Sequence, residues 1–85
     1  MPSTYILINS DLGSDVEIIK KIKQILDSES DVKYEIQGVY GVYDIIVKIT
    51  ADSMDLLRNI ITNKIRKIDK VYSTLTMMVI EEQER

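Results

Sequence analysis

The chain has 85 residues, 45% of them hydrophobic and 29% charged, with 11 Lys+Arg against 14 Asp+Glu for a net charge of -3. Such a chain builds one small folded domain, and its acidic balance argues against a broad surface that neutralises phosphates. Cysteine and histidine are both absent, which removes disulfides, thiolate nucleophiles, the usual zinc ligands and the commonest general acid–base.

The first residues carry no basic leader, and the apolar run from Tyr5 to Ile8 is too short for a secretory core or a membrane span. A cytoplasmic protein with no membrane partner is expected. Thr4 to Asn9 is nearly continuous in apolar residues and predicts a central strand. Asp11-Leu12-Gly13 ends it. Ser14 and Glu17 have the spacing of a reciprocal capping box. Ile18, Ile19, Ile22, Ile25 and Leu26 then recur on one face, with Lys20, Lys21, Lys23 and Gln24 opposite, which predicts an amphipathic helix. After the polar stretch Asp27–Asp31, Val32 to Tyr40 alternates, with Tyr34, Ile36 and Gly38 on one side and Lys33, Glu35 and Gln37 on the other. That is the pattern of an edge strand.

Gly41 is the natural tight-turn residue. Tyr43 to Thr50 predicts a third strand. Asp52 is placed to cap a second helix whose apolar face is Leu57, Ile60, Ile61, Ile65 and Ile68. Asp69-Lys70 turns the chain into a last strand, Val71 to Ile80. Residues 1–3 and 81–85 are expected to fray around a single domain.

The order is β-α-β-β-α-β, an α+β, ferredoxin-like arrangement with a four-stranded antiparallel sheet and two helices on one face. Two helices can cover only one side of such a sheet. The apolar sets Tyr43, Ile45, Val47, Ile49 and Ser73, Leu75, Met77, Val79 are expected beneath them. The open side then carries Asp44, Ile46, Lys48 and Thr50 with Tyr72, Thr74, Thr76, Met78 and Ile80. A face this mixed suits an interaction surface, so pairing of two copies face to face is expected.

Val39-Tyr40-Gly41-Val42-Tyr43-Asp44 is the most unusual local string. Asp is depleted in strands, so Asp44 reads either as a fixed anion for an ammonium group or as a turn aspartate bonding its own backbone. Thr74 and Thr76 share a strand face and could bind a carboxylate or amide, although threonine is also simply a good strand former. Tyr34, Tyr40 and Tyr72 read as packing residues with a wet hydroxyl. Lys64, Arg66, Lys67 and Lys70 suit the C-terminal end of the second helix. No catalytic group, cofactor or metal-ligand set stands out.

The run V-Y-G-V-Y-D-I-I-V-K and the ending K-I-R-K-I-D-K-V-Y-S-T-L-T-M-M-V-I resemble the effector-sensing (RAM) domain of the Lrp/AsnC family, over essentially the whole chain. The resemblance implies dimers formed through the sheets into a dimeric α+β barrel, rings of such dimers, and amino-acid effectors held at the seam between dimers. By that likeness Tyr40, Gly41 and Asp44 match the hairpin that holds the effector head group, and Thr74 and Thr76 match positions lining the same seam. Full-length members carry an N-terminal helix-turn-helix, whereas here the first strand begins at once. The implied role is therefore a stand-alone module without direct nucleic-acid binding, with full-length Lrp/AsnC-type regulators as co-assembly partners. A cofactor-independent barrel enzyme using Tyr5, Tyr43 or Asp44, and a purely structural assembly partner, are the alternatives.

Overall fold

A computed structural model describes residues 2–80. Strand β1 (Ser3–Ser10) leads to helix α1 (Asp15–Asp27), strands β2 (Val32–Gly38) and β3 (Ile45–Ala51), helix α2 (Met54–Ile60) and strand β4 (Val71–Met78). The strands form one antiparallel sheet in the order β2-β3-β1-β4, with β1 and β3 central. This is the split βαβ arrangement anticipated from the element order.

The core lies between the sheet and the helices. Ile6 and Ile8 of β1, Ile45, Val47, Ile49 and Ala51 of β3, Ile18, Ile22 and Leu26 of α1, and Leu57 and Ile60 of α2 are all buried. Each large aliphatic side chain taken out of water contributes about 1.5–3 kcal/mol. The alternation of β3 decides which side is covered, because its odd-numbered residues are buried and its even-numbered ones are half-exposed. Edge strand β2 follows the expected phase, with Tyr34 and Ile36 packed on the core and Lys33, Glu35 and Gln37 outward.

Strand β4 has the opposite phase to the one anticipated. Its register pairs Thr74 with Ile8, Thr76 with Ile6 and Met78 with Thr4, so these residues share the helix-covered side. Leu75 and Met77, expected in the core, are 43% exposed on the open side. Both phases of this strand contain apolar and hydroxyl residues, so alternation alone could not choose between them; the pairing with β1 does. A bulge where Asn9 pairs with Ser73 and Ser10 with Val71 leaves Tyr72 as the extra residue.

Helix ends also differ from expectation. Ser14 makes no side-chain capping bond; instead its amide donates to the Asp11 carbonyl at 2.9 Å and its carbonyl accepts from Ile18 N–H. Ser53, rather than Asp52, caps α2, its hydroxyl accepting from Leu56 N–H at 3.1 Å. Beyond Ile60 the helix widens into a π turn, Ile61–Ile65, which keeps Ile61 and Ile65 in the core. Lys70 ties this end of the chain to α1 by bonding Glu17 at 3.2 Å, and Lys64 bonds Glu29, in the connection after α1, at 2.6 Å. Ser3, expected to fray, is buried, and its hydroxyl lies 2.9 Å from that of Thr50. The fraying expected at 81–85 lies outside the described residues.

Candidate functional site

Two connections meet at the end of the sheet where β1 and β2 finish and β3 begins. One is Asp11–Ser14, where Gly13 takes φ +78, a conformation that costs most residues and not glycine. The other is Val39–Asp44, closed by Val39 N–H donating to the Asp44 carbonyl at 2.8 Å. It is longer than the tight turn expected, and Gly41 sits in it at φ +150.

Asp44 joins the two. Its amide donates to the Ile8 carbonyl at 3.0 Å. Its Oδ2 accepts from the Ser10 amide at 3.0 Å and from the Ser10 hydroxyl at 3.4 Å. The carboxylate is therefore anchored to the neighbouring strand, not to its own turn. Among the described residues no hydrogen bond engages Oδ1, which leaves one oxygen for an ammonium or amide donor.

Ser10, Asp11, Leu12, Gly13, Asp15, Val39, Tyr40 and Asp44 line an open cleft of about 400 Å³. Its charged side chains are the carboxylates of Asp11, Asp15 and Asp44, and they do not converge as a metal-holding group. Leu12, Val16, Val39, Tyr40 and Val42 at this end are all exposed. So many large apolar side chains at one rim suit a surface that another molecule covers.

Of the site residues expected from sequence, Tyr40 and Asp44 line this cleft and Gly41 lies in the same loop. Thr74 and Thr76 do not join them. They stand on the covered side of β4, across β1 from the loop, and the Thr76 hydroxyl is buried without a partner among the described residues. The contributions of Ser10, Asp11, Leu12 and Asp15 were missed, although an exposed leucine in a turn between two elements was a usable signal. Of the tyrosines, Tyr34 packs on the core and donates to Asp27 Oδ1 at 2.6 Å, which, with partial burial, holds its pKa above the ordinary 10.0. Tyr40 and Tyr72 instead stand exposed, because a loop and a bulge carry them beyond the reach of the helices.

The Lrp/AsnC ligand binding domain pattern matches residues 5–85. The chain belongs to the Lrp/AsnC family of ligand-binding domains. No curated protein matches it by sequence. Among solved structures, this Lrp/AsnC domain is similar to the hypothetical protein PHS023 from Pyrococcus horikoshii, with 38% identity over 96% of this chain and 93% of that one, at TM-score 0.77. It resembles FFRP-DM1 at 36% identity over 94% of this chain and 100% of that one, TM-score 0.78. It matches AsnC of E. coli at 27% identity and TM-score 0.78, over 99% of this chain and 54% of AsnC, so it spans about half of that regulator. The family is a regulatory ligand-binding domain of transcriptional regulators. Among the described residues no helix is long and apolar enough to cross a membrane.

Proposed function

We propose that this Lrp/AsnC domain senses an amino acid or a related metabolite and converts its binding into a change of assembly, without enzymatic turnover. The observation that carries the reading is Asp44: a carboxylate fixed by Ser10 in a cleft between two loops, with one oxygen left for the ligand's ammonium group. Tyr40 and Gly41 complete the hairpin side of the site. Thr74 and Thr76 are left out of the proposed binding set: they stand half-buried on the Ile6 and Ile8 side of β4, apart from the lining of the cleft.

Two surfaces serve assembly. The open side of the sheet, with Leu7, Ile46, Leu75 and Met77, is where a second copy packs. The exposed rim around Leu12, Tyr40 and Val42 is where one such pair meets the next, closing a ring and enclosing the cleft. A ligand that binds only the closed seam stabilises the ring by RT ln(1 + [L]/Kd), so effector concentration sets the oligomeric state. Full-length regulators of the family are the proposed co-assembly partners. A regulator from Neisseria meningitidis, described as a complex with L-Met, shares the fold at TM-score 0.72 and 10% identity, which is consistent with an amino-acid ligand. The cleft is open and sits at the molecular edge, not enclosed within one subunit as a barrel enzyme would require.

Isothermal titration with the twenty amino acids, run beside light scattering, tests this. Heat from at least one of them together with a change in mass is expected, and Asp44→Ala abolishes both. A flat response with unchanged mass removes the sensing role. Normal binding by Asp44→Ala moves the anchor elsewhere.

A further inference from the structure

Across the middle of the open sheet face runs a polar row. Glu35 of β2 lies opposite Lys48 of β3, and Lys48 lies opposite Tyr5 of β1. Lys48 Nζ rests 5.6 Å from the centre of the Tyr5 ring. Two shallow depressions flank the row and share Glu35 and Lys48, one walled by Tyr5, Gln37 and Ile46, the other by Lys33, Tyr34 and Thr50. Apolar residues continue alongside it, because Ile46, Leu7 and Leu75 are register partners in the next row.

Although Glu35 and Lys48 face each other directly, their charged ends are not within ion-pair distance; among the described residues the ion pairs are Lys64–Glu29 and Lys70–Glu17. That is tolerable while water reaches the half-buried ammonium. A partner laid over the face removes this water, and a desolvated ammonium without an acceptor is strongly unfavourable. Glu35 is the one carboxylate that the described strands present on this face.

We propose that Glu35 and Lys48 form a polar lock in the interface with a second copy of the chain: docking draws them into an ion pair beside Tyr5, so self-association depends on the charge of Glu35. This rests on the face-to-face pairing proposed above. The occupant is a second copy because the face mixes both signs, Lys33, Glu35 and Lys48, around an apolar centre. A self-complementary two-fold contact needs that balance, and a polyanion would select against the carboxylate.

Sedimentation at micromolar concentration of wild type, Glu35→Gln, Lys48→Met and the double variant tests the lock, with circular dichroism confirming that each is folded. Glu35→Gln is expected to raise the dimer dissociation constant about tenfold or more, because it leaves Lys48 without its acceptor. Lys48→Met is expected to weaken association as well, because it leaves the Glu35 carboxylate without its partner, and the double variant, which removes both charges, to recover most of the loss. A wild-type dimer with Glu35→Gln unchanged overturns the lock and leaves the face-to-face pairing standing. A wild type that stays a monomer overturns both.

Discussion

Asp44 and Thr76 show how the same sheet treats two polar side chains differently. Asp44 sits at the strand mouth, where Ser10 satisfies one oxygen and the cleft leaves the other free. The Thr76 hydroxyl is buried with no partner among the described residues, and a hydroxyl in that state costs about 1–3 kcal/mol. Thr76→Val, which keeps the shape and removes the polar atom, is therefore expected to stabilise the domain by about 1 kcal/mol. Urea denaturation checks it; a destabilised variant would mean that the hydroxyl has an acceptor after all. Asp44 as an unusual strand-start acid was visible in the sequence, but its partner was not, since Ser10 lies 34 positions away and only the β1–β3 pairing brings it near.

At the scale of elements, the helix starts separate pattern from bond. Ser14 and Glu17 have the capping-box spacing, yet Ser14 takes φ -100, ψ 0 and spends its backbone on the Asp11 turn. Ser53 has the extended backbone of a working cap at φ -137, ψ 154 and bonds Leu56. Ser53→Ala should thus lower stability by about 1 kcal/mol, whereas Ser14→Ala should cost a few tenths at most from loss of the cap. Thermal unfolding of the two variants side by side distinguishes them, and equal losses would reject the assignment. The apolar face of the second helix, Leu57 through Ile68, was legible from its spacing. The π turn at Ile61–Ile65 was not, because helix periodicity assumes a constant turn and cannot show where it widens.

For the whole molecule, the proposed face-to-face pairing rests on the uncovered sheet side. Ile46 lies on that side and outside the core. Ile46→Asp is expected to raise the dimer dissociation constant at least about a hundredfold, as loss of a central interface residue does, while leaving the fold intact. Light scattering that reports an unchanged mass would exclude this face as the meeting surface. The element order, the central and edge strands and the core face of β3 were determined by the sequence itself, because periodicity and breakers are local signals. The phase of β4, the length of the Val39–Asp44 loop, and the union of Asp11–Gly13 with Asp44 in a cleft that Thr74 and Thr76 do not line were decided only by the tertiary structure. Those depend on which strand pairs with which and in what register, and register is set by contacts between residues far apart in the chain.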